Sequence, residues 1–146
     1  MSSVPRTITR LLISGALLAI AAGPVQASGA TPSTIRIEVV GSTETFSTTG
    51  GTLCPSGTAV SFNFHFAGGN RAGSFHLDKT LTCDDGSGSF TIHVDAATVF
   101  GSPTDQGGWS VAGGTGAYAS LAGGGNLVGT YTEAGINDLY TGRVTH

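Results

Sequence analysis

The chain has 146 residues, 24 of them glycine, with six basic and nine acidic side chains and a formal net charge of −3, which leaves room for one domain. The few basic residues form no cluster, so a face that grips a nucleic-acid backbone is excluded. No polybasic or amphipathic segment is present to hold a membrane surface.

The N-terminus carries its own signal. "MSSVPRTITR" is short and basic, "LLISGALLAIAA" (11–22) is apolar, and Gly23, Pro24 and Val25-Gln26-Ala27 follow. That order reads as a secretory signal peptide over 1–27, cleaved after Ala27. The apolar run falls short of the ~20 residues that a spanning helix needs. The mature protein is therefore expected to be secreted and free of the membrane, with a short flexible N-terminus at 28–33 and one folded domain over 34–146. Cleavage removes Arg6 and Arg10. Four basic residues (Arg36, Arg71, Lys79, Arg143) then face nine acidic ones, a formal −5. Cys54 and Cys83 both fall in the exported part, where an oxidising compartment favours a disulfide between them.

Beyond residue 33 the apolar residues alternate, as strands require. "TIRIEVV" (34–40) places Ile35, Ile37 and Val39 on one face, and "TETFSTT" (43–49) follows. "TAVSFNFHF" (58–66) alternates through Val60, Phe62, Phe64 and Phe66, and "GSFHLDKTLTC" (73–83) through Phe75, Leu77 and Leu81. "GSFTIHV" (88–94) repeats the pattern with Phe90, Ile92 and Val94, and shorter runs lie at 109–111, 126–132 and 139–145. Seven or eight short strands divided by glycine turns predict an all-β, antiparallel barrel or sandwich in a single domain.

The turns suggest registers. If "AGGNRA" (67–72) sets Phe66 against Gly73, then Phe64 faces Phe75, Phe62 faces Leu77 and Ser56 faces Cys83, with Cys54 just beyond. The turn "DDGS" (84–87) sets Leu81 against Phe90 and Leu77 against Val94. The opposite face then carries two rows, Asn63/His76/Asp95 and Ser61/Asp78/His93.

A histidine beside an aspartate suits general acid–base chemistry, because the carboxylate orients the ring and raises its basicity. His76, Asp95, Asp78 and His93 are the candidate catalytic residues, and Asn63, His76 and His93 the candidate ligand contacts. The plainer reading ranks above both: cross-strand pairs on a wet sheet face, worth a few tenths of a kcal/mol each. No metal is expected, because His65 neighbours the hairpin loop rather than the rows and neither H-x-H nor HExxH spacing occurs. No cofactor is implied, and no G-x-S-x-G elbow marks a nucleophile.

The stretch "WSVAGGTGAYASLAGGG" (109–125) fails as a phosphate cradle, since no Lys-Ser/Thr follows it and no helix or parallel sheet surrounds it. In an all-β chain such glycines serve bends and close backbone approach. Gly113–Gly116 are expected to turn the chain, and Tyr118 and Leu121 to plug the barrel's end. Gly-Gly-Trp (107–109), Gly-Gly-Thr-Gly-x-Tyr (113–118) and x-Leu-x-Gly-x-Gly (120–125) resemble the corresponding segment of the allene oxide cyclase and dirigent barrels, above all their small secreted bacterial members.

That resemblance implies an eight-stranded antiparallel barrel, often oligomeric, whose lumen holds a small apolar molecule. It makes Gly114, Thr115, Gly116 and Tyr118 a structural turn. Plant members cyclise an unstable epoxide or steer phenol coupling, but no position here matches their catalytic carboxylate or arginine contexts. The expected function is noncatalytic binding of a small apolar or phenolic molecule. The alternatives are a cyclase-like or coupling-guiding enzyme and a ligand-free interaction protein, its barrel filled by Phe62, Phe64, Phe75, Leu77, Phe90 and Ile92. Few charges along the strands favour burial of both faces, and so a homo-oligomer or a covering partner. Periodicity alone leaves open which face lines the barrel.

Overall fold

A computed structural model describes residues 29–146; the expected signal peptide and its cleavage site lie outside them. Eight strands follow one another: β1 (Thr31–Val40), β2 (Thr43–Thr49), β3 (Ser56–Gly68), β4 (Ala72–Cys83), β5 (Gly88–Val99), β6 (Thr104–Gly116), β7 (Ala122–Tyr131) and β8 (Gly135–Thr145). Each pairs antiparallel with the next, and β8 returns to β1, closing a barrel. Closure removes every free sheet edge. β1 begins at Thr31 and buries Ser33, so the strand takes in part of the segment expected to be a flexible N-terminus.

Alternation puts the apolar phase inside. Ile35 and Ile37 of β1, Phe90, Ile92, Val94 and Ala96 of β5, and Tyr140 and Val144 of β8 are all buried. The aromatic residues meet edge-on: Phe46 and Phe90 at 6.1 Å with planes at 76°, and Trp109 and Tyr140 at 6.3 Å and 87°. Each such pair contributes about 0.5–1.5 kcal/mol beyond its buried area.

One end of the barrel is closed. Cys54 and Cys83 are bonded, with their Cα atoms 6.0 Å apart, joining the approach to β3 to the end of β4. Tyr118 and Leu121 are buried beneath the β6–β7 turn, with the Tyr118 ring 5.3 Å from Phe90, so the expected plug is present. The turn itself differs from expectation. Gly113–Gly116 continue β6: Gly114 pairs with Phe90, Thr115 with Ser89 and Gly116 with Gly88, and the chain reverses only after Gly116. Glycine is needed there for close approach, since a Cβ on Gly114 would stand 2.2 Å from the Tyr118 carbonyl oxygen. Gly116, at φ +59°, supplies the left-handed residue that starts the reversal.

The β4–β5 register is the expected one, with Leu81 against Phe90, Leu77 against Val94, His76 against Asp95 and Asp78 against His93. The β3–β4 register is not. The hairpin closes at Gly68 against Gly73, Phe66 pairs with Phe75 and Gly57 with Cys83, and a bulge between Phe62 and His65 absorbs the difference. Asn63, at φ +53°, sits in that bulge, a backbone conformation that asparagine tolerates better than most residues. The phase of β3 therefore switches midway. Val60 and Phe62 lie outside with Thr80 and Asp78, whereas Phe64 and Phe66 turn toward the barrel mouth beside Phe75.

Candidate functional site

The end opposite the disulfide is open, and its rim is aromatic. A cavity of about 510 Å³ lies there, walled by Phe64, Phe66, Phe75, Val99, Phe100 and Ile136. Phe64 stacks on Phe75 (6.2 Å, 23°), and Phe66 on Phe100 (6.2 Å, 28°). The β3 bulge builds this wall, because without the phase switch Phe64 and Phe66 would share the outer face with Phe62. Phe64 is nevertheless 66% exposed and Phe100 51%, so apolar surface is left facing solvent at a concave mouth.

The cavity also reaches Thr98, Ser102, Asp105 and Tyr131. Asp105 is only 2% exposed. Its Oδ2 accepts a hydrogen bond from the Tyr131 hydroxyl at 3.0 Å, while its Oδ1 has no partner among the described residues. Leaving a buried acceptor unpaired costs about 1–3 kcal/mol. Burial holds the Tyr131 phenol above its ordinary value, with the neighbouring Asp105 carboxylate adding to the effect.

Deeper along β8 lies a second polar layer. Lys79 donates to Glu44 Oε2 at 2.8 Å and to Ser61 Oγ at 2.7 Å, and stands 3.9 Å from Asp138 Oδ2. Tyr140 donates its hydroxyl to the same Asp138 oxygen at 3.1 Å. Burial pushes the Asp138 carboxyl up to about 6 against the pull of Lys79, and it pushes the Tyr140 phenol well above its usual value. With Asp105, three carboxyl groups share the interior with one ammonium group. Of these carboxyl groups, that of Asp105 belongs to a residue lining the cavity.

The histidine–aspartate pairs are real but face outward. His76 Nδ1 contacts Asp95 Oδ1, and His93 Nδ1 lies 2.8 Å from Asp78 Oδ1. These side chains are 21–55% exposed on the outside of β4 and β5, away from the cavity. The bulge also changes the rows: Asn63 leaves His76 and donates to Asp78 Oδ2 at 2.8 Å, His65 takes its place across from His76, and Ser61 pairs with Lys79 instead of Asp78 and accepts from its ammonium. Hydrogen bonds from Asn63 and then His93 hold the Asp78 carboxyl below its usual range, and the bond to Asp78 raises the His93 imidazole.

Compared with known protein families, with curated proteins and with solved structures, the chain has no match. Function must therefore be read from the barrel and its cavity. Sequence reasoning missed Lys79, Asp105 and Asp138 as buried residues, and Glu44 and Tyr131 as hydrogen-bond partners of Lys79 and Asp105. Their phase carried the signal: Lys79 falls between Leu77 and Leu81, and Asp138 two residues before Tyr140, so each charge occupies an inward position.

Proposed function

We propose that this is an exported, noncatalytic barrel that binds one small, largely apolar aromatic molecule with a hydrogen-bond-donating head, such as a phenol. A single observation carries the reading: an unpaired, buried acceptor, Asp105 Oδ1, at a cavity walled by phenylalanines. Apolar walls supply affinity and one well-placed acceptor supplies orientation. The volume is within the range of small-molecule sites. The leader-like N-terminus and the Cys54–Cys83 bond support export. Among the described residues no helix is long and apolar enough to cross a membrane.

The likeness of residues 107–125 to the allene oxide cyclase and dirigent segment supports the same kind of ligand. It also keeps a coupling-guiding enzyme as the alternative. In that alternative the outward His/Asp pairs cannot shuttle protons for the cavity, which favours the noncatalytic reading. A barrel filled by its own phenylalanines has less support, because Phe62 and Phe64 are exposed by 40% and 66%. Val60 and Phe62, exposed on the outside of β3, support self-association, which sedimentation velocity tests.

Titration calorimetry with 2-naphthol and with naphthalene checks the proposal. The phenol should bind more tightly than the hydrocarbon, and Asp105→Asn should weaken it by about 10–100-fold, the worth of a hydrogen bond to a charged group. Equal affinities for the two probes, or an unaffected Asp105→Asn, would refute it.

A further inference from the structure

The outer face of β4 and β5 holds a cluster that the cavity does not use. We propose that His76, His93 and Asp95 bind a divalent transition metal, Zn²⁺ in the first instance, with a coordination position open to water. One donor atom from each residue lies within 4.8 Å of the other two. Tetrahedral ligands at ~2.0–2.1 Å from zinc stand about 3.3 Å apart. His93 Nε2 and Asp95 Oδ1 are already 3.4 Å apart. His76 and Asp95 are cross-strand partners on exposed side chains, so small rotations open the remaining space.

Hydrogen-bond accounting points the same way. Asp78 already accepts from Asn63 and, as a carboxylate, has only acceptor capacity to offer His93. The neutral His93 ring therefore gives its single N–H from Nδ1 to Asp78, and Nε2 is left as an acceptor. Nε2 then faces Asp95 Oδ1, a second acceptor, with no hydrogen between them. A metal ion placed between them would be ligated by both.

The arrangement around His93 matches a metal site's outer shell, in which the ring's second nitrogen donates to a carboxylate that is itself held in place. Asn63, locked in the β3 bulge, holds Asp78, and Asp78 fixes the tautomer of His93. Asp78 is thus a positioning residue rather than a ligand. Two imidazoles and one carboxylate suit Zn²⁺, Cu²⁺ or Ni²⁺, whereas Ca²⁺ and Mg²⁺ prefer all-oxygen shells.

The test uses the tag-free protein at about pH 7.5, where imidazole is largely free to ligate. Zn²⁺ titrated by calorimetry should bind at one site per chain, with Mg²⁺ silent at the same concentrations. In heteronuclear NMR the His76 and His93 ring signals should move together, and Co²⁺ in place of zinc should show the visible absorption of a low-coordinate site. His93→Ala and Asp95→Asn should abolish saturable binding. Asp78→Asn should weaken it about 10–100-fold while the metal-free protein stays folded at the assay temperature, and His65→Ala should leave it intact. Three results overturn the assignment: Zn²⁺ binding that survives His93→Ala, a loss on His65→Ala that exceeds the loss on His93→Ala, or failure of saturation at millimolar Zn²⁺ in the wild type. The NMR readout keeps the test decisive if a variant folds poorly, because it follows the wild-type rings directly.

Discussion

Asp138 offers a direct check on the interior electrostatics. Its carboxyl is buried two residues below the cavity-lining Ile136, bonded to the Tyr140 hydroxyl and 3.9 Å from Lys79. Burial raises it from 3.8 to about 6. The unfolded chain loses this proton near pH 4, while the folded chain keeps it until about pH 6. Between those values the native state binds more protons than the unfolded state, so stability falls as pH rises. At about 1.4 kcal/mol per unit, the rise is worth about 3 kcal/mol, present in full below pH 4 and gone above about pH 6. Asp138→Asn keeps an acceptor for Tyr140 and abolishes the titration. Urea unfolding of both proteins from about pH 4 to about pH 7, with the disulfide intact, should show the variant gaining on the wild type by about 3 kcal/mol across that range. The exposed Asp78, shifted the opposite way, is common to both proteins and cancels in the difference. A wild-type-to-variant difference that stays flat with pH, or that shrinks as pH rises, would refute a buried, destabilised carboxyl.

Two further outcomes follow from packing and chain connectivity. Replacing both Cys54 and Cys83 with serine opens a loop spanning 29 positions and should cost about 3.5 kcal/mol by the chain-entropy relation, read from the shift in denaturation midpoint; no loss would mean that the bridge leaves the unfolded chain unconstrained. Gly129→Ala would put a Cβ 2.0 Å from Asp105 Oδ1 and 2.9 Å from Asp138 Oδ1, so it should destabilise the barrel by about 1–3 kcal/mol and weaken 2-naphthol binding; a variant as stable as the wild type would place Asp105 elsewhere.

The fold was legible because alternation and turn chemistry agree. Between Asp84 and Ser87 the loop is short: the Ser87 amide donates to Asp85 Oδ1 at 2.9 Å, and Gly86 takes φ +73°. A turn so constrained sets one register, and the His76–Asp95 and Asp78–His93 pairings came out as expected. The β3–β4 hairpin misled for a physical reason. Val60, Phe62, Phe64 and Phe66 alternate without a break, so nothing in the apolar pattern marks the point where the strand changes phase. Only Asn63, a residue at ease with positive φ, hints at it.

The same bulge explains why both candidate sites were only half visible. It turns Phe64 and Phe66 inward to make the cavity wall, and it brings Asn63 onto Asp78 behind His93. A register drawn without it puts the phenylalanines along one face and Asn63 beside His76. The interior charges were obscured differently. Lys79, Asp105 and Asp138 occupy apolar-phase positions, where a charge normally argues against burial. They are tolerated because Glu44 and Ser61 meet Lys79, Tyr131 meets Asp105 and Tyr140 meets Asp138, partners that the apolar alternation of a single strand does not announce. Asp105 Oδ1 is the carboxylate exception, left without a partner among the described residues as is the buried Ser33 hydroxyl. That unmet acceptor belongs to a residue lining the apolar cavity and packs over Gly129, and it is the group that the proposed phenol would have to reach.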